Sequence, residues 1–371
     1  MRVSFKPSLA ESFHSSLKRY VTEEFPLAHE ICLSLGGLKS VRILSYYPLS
    51  KDILEREFSL IKATIPGQCD ATVYFWRESG ASDLVKRLIG LDIKTEVPDD
   101  PRLEIFRDER LASSSGSVIP MATIGLGEGD GIYARFGNEY YFGLDGLGSG
   151  TWFKEGHLFV QALFRILNTG NSSLVHGACL GLDGKGVLMC ARGGGGKSTL
   201  SVTAMLRGFE FVSDDYLILS ENGGNVAASP IYSFITLSPE MYDALYDDFG
   251  EARFLGVSHW KGKYVFDISE YAGSFRSNYP VKAIMFPELC LDAAAPKVAL
   301  CSPAERGRTI TQIAHSTVSQ MFIKGFRGDQ RDPDFILKIV KALSGFDCYK
   351  ITLSRDLDAN VGCLREFISN L

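Results

Sequence analysis

Ala191-Arg192-Gly193-Gly194-Gly195-Gly196-Lys197-Ser198 runs four glycines into a Lys-Ser pair. Glycine accepts positive φ and puts no Cβ between backbone amides and an anion, so such a loop can turn its N–H groups inward around phosphate oxygens. Lys197 adds a point charge for β- and γ-phosphates, and Ser198 a hydroxyl for Mg²⁺. The flanks supply the context the motif needs. Gly186-Val187-Leu188-Met189-Cys190 reads as a short buried strand, and residues 198–206 read as a helix whose N-terminus faces the phosphates. The strict pattern has glycine where this chain has Ala191, a residue that takes positive φ only at a cost. The stretch predicts a nucleoside triphosphate site made by Gly193, Gly194, Gly195, Gly196, Lys197, Ser198 and Thr199.

Moving outward, Gly208 closes the helix and Phe209–Ser213 leads into Asp214-Asp215. Phosphoryl transfer needs a metal across the phosphates and a group to take the proton of the attacking hydroxyl. Adjacent carboxylates can divide those tasks, one staying ionised on the metal and the other, raised by its neighbour, acting as base. An Asp-Asp pair is most often an exposed acidic turn; its place downstream of a Gly-Lys-Ser helix favours the functional reading. On the other side, His176 lies in Leu174-Val175-His176-Gly177-Ala178. A lone histidine in an apolar strand is commonly a satisfied core residue. Here the next strand carries the glycine loop, which brings His176 beside the phosphates or the aspartates.

Together, His176-Gly177, the loop ending Gly196-Lys197-Ser198, and Asp214-Asp215 resemble the catalytic domain of HPr kinase/phosphorylase, in the same order and with similar spacing. The resemblance is close over Leu174–Leu219 and loose over residues 120–330. It implies the nucleotide-binding fold shared with ATP-dependent phosphoenolpyruvate carboxykinase: a β-rich α/β P-loop kinase domain. Before it, the alternation of strand-like and helix-like segments up to about residue 110 reads as a smaller N-terminal α+β domain. It also implies ATP, Mg²⁺ and transfer to a serine hydroxyl on a protein, a peptide or a small molecule. Carried onto this chain, Lys197 and Ser198 hold phosphates and metal, Asp214 is the base, Asp215 helps bind metal, and His176 supports the base. Related kinases assemble as oligomers, so a homo-oligomer is expected by analogy. The family's second signature has at most a distant echo in Glu251–Val257, and the N-terminal part does not match the regulatory domain, so HPr itself is not implied as substrate. Two other readings stay open. One is a decarboxylating phosphotransferase of the carboxykinase type, for which no second-metal or substrate-arginine set is evident. The other is a nucleotide-binding regulatory module without catalysis.

The 371 residues suggest two domains, at about 100–200 residues each. The division is expected at the serine-rich Ser113–Ser117, giving residues 1–112 and 118–371. At 45% apolar and 22% charged residues, the chain can bury a full core. A net charge of −5, spread along the chain, argues against nucleic acid as an obligatory partner. No apolar run reaches the roughly 18 residues of a membrane span, and Met1–Pro7 carries no apolar signal core, so a cytoplasmic protein is expected. The eight cysteines form no Cys-x-x-Cys pair, and those at 179, 190, 290 and 301 read as small buried hydrophobes.

Elsewhere, strands are expected at 30–35, 41–47, 71–76, 124–127, 131–136, 139–144, 174–182, 216–219, 280–286 and 297–301, with a hairpin turn at Gly137-Asn138. Helices are expected at 50–62, 158–167 (capped by Gly170-Asn171), 303–324 and 333–344. Lys261 and Lys263 read as a solvated pair rather than phosphate ligands, and Arg306 and Arg308 as a charged helix face.

Overall fold

The computed structural model describes residues 7–47, 51–63, 68–78, 84, 87–88, 104–107, 122–126, 132–144, 157, 159–168, 171–191, 194–249, 254–257, 262–321 and 333–371. The expected linker Ser113–Ser117 and the loop glycine Gly193 lie outside them, as do Lys261 and Glu251–Arg253.

Helix α1 (Pro7–Glu24) is followed by β1 (His29–Leu35), β2 (Lys39–Ser45), α2 (Lys51–Glu57), β3 (Lys62–Ala63) and β4 (Ala71–Arg77). Then come β5 (Glu104–Arg107), β6 (Ala122–Leu126), β7 (Ile132–Phe136) and β8 (Glu139–Leu144). Among the described residues these strands form one sheet in the order β3-β1-β2-β4-β8-β7-β6-β5. The expected division at 112–118 falls inside this sheet: β6, β7 and β8 carry higher numbers, yet β8 pairs parallel with β4, Val73 opposite Tyr140 and Phe75 opposite Phe142. That pairing is non-local, and the β7–β8 hairpin turns at Gly137-Asn138 as expected. The helix expected over 50–62 ends at Glu57, because Lys62 and Ala63 pair with β1 instead. On α1, Phe13, Leu17 and Val21 recur every fourth residue and bury one stripe against Tyr74, Trp76, Phe136 and Tyr141.

The sheet's opposite face packs on α3 (Val160–Leu167), a helix buried on nearly every side. Phe159, just before it, meets Phe75 and Phe142 with ring centroids 5.5 and 5.0 Å apart. The helix ends on Asn168, ahead of the expected cap.

A second sheet holds β9 (Ser172–His176), β10 (Ala178–Leu182), β11 (Lys185–Met189), β12 (Glu210–Ser213), β13 (Tyr216–Asn222), β14 (Asn225–Pro230) and β18 (Tyr279–Leu289) in the order β12-β10-β11-β18-β14-β13-β9. Strands β19 (Lys297–Leu300) and β20 (Cys348–Leu353) join it through β18. A small third sheet is made by β15 (Phe234–Leu237), β17 (Tyr264–Asp267) and β16 (Phe254–Val257). The molecule is thus mixed α/β with several sheets. Helix α4 (Lys197–Leu206) lies between two cores. Leu200 and Ala204 pack on the second sheet with α8 (Leu357–Ser369), while Val202 and Met205 pack on the third sheet and α5 (Pro239–Phe249). Helices α6 (Pro303–Met321) and α7 (Pro333–Ser344) complete the fold.

The run expected as one strand from Leu174 to Leu182 is two strands broken at Gly177, and the break organises the site. Before it, β9 pairs with β13; after it, β10 pairs with β12 and β11. The chain that returns from β12 to β13 crosses at the same place, through Asp214-Asp215. The Gly177 N–H donates to the Asp215 carbonyl at 2.9 Å, locking the two crossings together. A Cβ on Gly177 would stand 2.9 Å from the Met189 carbonyl oxygen, so the close approach needs glycine there. Among the cysteines expected to be buried, Cys290 is exposed, because β18 ends one residue before it, and Cys301 is half-buried.

Candidate functional site

Several segments meet at the crossing. The first is the strand–loop–helix unit. After β11 the chain turns into α4 with Gly194 at φ 85° and Gly196, the N-cap residue, at φ 88°. Both values favour glycine, and Ala191 is not among the positive-φ residues, so the departure from the strict pattern introduces no left-handed strain. Gly196 offers α4 no side-chain cap. The first N–H groups of the helix and its positive dipole end therefore face the loop. Ser198 and Thr199 occupy the first turn, half-buried.

Lys197, the first residue of α4, is buried and reaches both aspartates. Its Nζ donates to Asp214 Oδ1 and to Asp215 Oδ1, each at 2.9 Å. Burial works against the ammonium, but the two carboxylates override it and raise the Lys197 pKa above the ordinary lysine value. Asp214 is buried, and its Oδ2 has no hydrogen-bond partner among the described residues. Asp215 is more open, with 18% of its side chain exposed, and its backbone sits at φ 71°. Left-handed backbone at a residue other than glycine stores strain of about 1–3 kcal/mol, here held by the Gly177 N–H.

His176 Nε2 lies 3.5 Å from Asp215 Oδ1, so this imidazole accompanies the second aspartate rather than the first. The reason is register: Tyr216 pairs with His176 across β13 and β9, which puts Asp215 beside the histidine. The His176 backbone N–H is fixed by Thr317 Oγ1 of α6 at 3.1 Å. Burial pushes the His176 pKa down, and Asp215 offsets part of that.

Three further groups had no decisive local signal. His157 stands with Nε2 3.8 Å from Asp215 Oδ2, enclosed by the rings of Tyr216, Tyr232 and Phe234 at centroid distances of 4.4, 5.0 and 5.3 Å. Burial pushes its pKa down to about 3, so the ring is neutral near pH 7. Thr236 of β15 donates to Asp215 Oδ2 at 3.4 Å, and Lys263 Nζ donates to the Thr236 hydroxyl at 3.3 Å. Burial tends to raise the Asp215 pKa, but Lys197 and His176 overcome it and hold the carboxyl well below its usual range. Arg306 lies elsewhere, bonded to the Ser344 carbonyl at the end of α7, and Arg308 is exposed on α6.

No family model and no curated protein matches the chain. Among solved structures, the HPr(Ser) kinase/phosphatase from Coxiella burnetii aligns over 53% of this chain and 94% of its own, at 16% identity and a TM-score of 0.29. No helix among the described residues is long and apolar enough to cross a membrane.

Proposed function

We propose that the chain is an ATP-dependent kinase that transfers the γ-phosphate to a serine hydroxyl on a protein, peptide or small molecule. The observation that carries this is Lys197, at the N-terminus of a glycine-capped helix, bonded to two adjacent aspartates at 2.9 Å. In this reading the amides of Gly193–Gly196 and Lys197–Thr199 cradle the phosphates, and Lys197 holds them as a point charge. Ser198 and Asp214 would hold Mg²⁺. The buried Asp214 Oδ2, without a hydrogen-bond partner among the described residues, is an oxygen that a hard cation fits. Bound there, the ion supplies neutralisation of charge on the transferring group.

The two aspartates thus exchange the tasks expected from sequence. Asp215 is the more accessible, and Lys197 with His176 keeps its carboxyl ionised, so it is the carboxylate free to accept the proton of the attacking serine hydroxyl. The neutral His176 ring orients the Asp215 carboxylate through Oδ1, leaving Oδ2 toward Thr236. A division of the chain after β8, rather than at 112–118, belongs to the same reading, since the first sheet ends there.

The test is transfer of label from γ-labelled ATP with Mg²⁺ in extract of the host, beside Asp215→Asn and Asp214→Asn. Label on an acceptor should fall at least about a hundredfold with Asp215→Asn while MgATP still binds. Asp214→Asn should raise the Mg²⁺ concentration needed for half-maximal transfer. Nucleotide bound with no transfer in the wild type would favour the regulatory module, and full activity in Asp215→Asn would return the base to Asp214.

A further inference from the structure

Lys263 is the cation of the site that the transfer reaction as described leaves without a task. It immediately precedes β17, which pairs with β15, the strand that carries Thr236. Its ammonium is half-buried and donates to the Thr236 hydroxyl, and no carboxylate among the described residues pairs with it directly. Lys197, by contrast, has both of its acids in contact. A hydroxyl has one donor and two acceptor sites. Thr236 therefore accepts from Lys263 while donating to Asp215 Oδ2, and the relay has a consistent direction. Lys197 and His176 approach the carboxylate at Oδ1, whereas Thr236 and Lys263 stand on the Oδ2 side. An ammonium offers three N–H donors, of which Thr236 takes one. Partial burial of a charge that lacks a direct counter-ion is costly and is relieved by an incoming anion.

We infer that Lys263 binds an oxyanion of phosphate or carboxylate type beside Asp215, with Thr236 as the residue that positions its ammonium. The inference rests on the phosphoryl-transfer reading of the site. The oxyanion comes either from the phosphoryl group in transit or from an anionic group that the acceptor carries near its serine hydroxyl. In both cases Lys263 lies on the acceptor side of Asp215, opposite the lysine of the glycine loop.

Equilibrium dialysis of the full chain against labelled inorganic phosphate tests this, alone and with MgADP, with MgATP and MgADP affinities measured in parallel. Lys263→Met should weaken phosphate binding by about tenfold or more, the scale of one charge-assisted contact, and leave MgADP affinity within about twofold. Lys263→Arg should keep most of the affinity. Thr236→Val should weaken phosphate binding, and Thr236→Ser should restore it, which a merely structural threonine would not do. If Lys263→Met also abolishes the preference for MgATP over MgADP, the anion is the transferring phosphoryl group; if the preference survives, it belongs to the acceptor. Equal phosphate affinity in wild type and Lys263→Met, or no phosphate binding by the wild type, overturns the inference. MgADP binding that ignores Lys197→Ala would instead remove the glycine-loop reading, and phosphate binding measured without nucleotide still reports on Lys263.

Discussion

Lys197 pairs with two carboxylates that would otherwise repel each other in a buried place. Lys197→Ala should therefore weaken MgATP binding by about tenfold or more, measured by calorimetry, and unchanged affinity would remove the glycine-loop assignment. The variant should also lose stability, because Asp214 would remain buried without a counter-charge. Ala191 makes the opposite prediction. Its backbone is not left-handed, so Ala191→Gly should keep nucleotide affinity within about twofold; a collapse would show that the loop depends on the alanine. Lys197 and the aspartates were legible from the spacing of residue types. His157 was not, because the carboxylate it faces comes from the β12–β13 crossing and the rings that enclose it from β13, β15 and the residues just before β15.

The element that matters most is the β11–loop–α4 unit, and Gly196 is the joint between its loop and its helix. A Cβ there would lie 2.7 Å from Leu353 Cδ1 of β20, on a backbone at φ 88°. Gly196→Ala should cost about 1–2 kcal/mol from the backbone alone and lower both the melting temperature and nucleotide affinity. A variant with wild-type melting and binding would show that the loop relaxes without penalty. The unit could be read from sequence because strand, glycines and helix are each local preferences. The split of 174–182 could not: apolar residues continue through Gly177, and only the pairing of β9 with β13 and of β10 with β12 divides them.

At the scale of the molecule, the first sheet is held between α3 and α1, and Glu139 is the polar clasp of α1. Its carboxylate accepts from Lys18 at 2.7 Å and from Tyr141 at 2.8 Å, with His14 Nε2 at 2.7 Å. Burial tends to raise the Glu139 pKa, but these bonds overcome it and lower the pKa from 4.5 to about 2. The unfolded chain then takes up a proton on Glu139 at a higher pH than the fold does. The clasp's contribution is complete above pH 4.5 and is lost as pH falls from 4.5 toward 2. Urea midpoints across that window should fall more steeply for the wild type than for Glu139→Gln, and parallel curves would show that the clasp adds nothing.

The sequence by itself determined the order strand, glycine loop, helix, aspartate pair, because φ preference and apolar periodicity act over a few residues at a time. The tertiary structure alone decided that residues on both sides of 112–118 share one sheet. It also decided that His176 faces Asp215 and that His157, Thr236 and Lys263 join the site. Those outcomes are contacts between residues far apart in the chain. They are selected by which packing buries the most apolar surface and leaves the fewest polar groups unpaired, a property of the whole fold that no single segment carries.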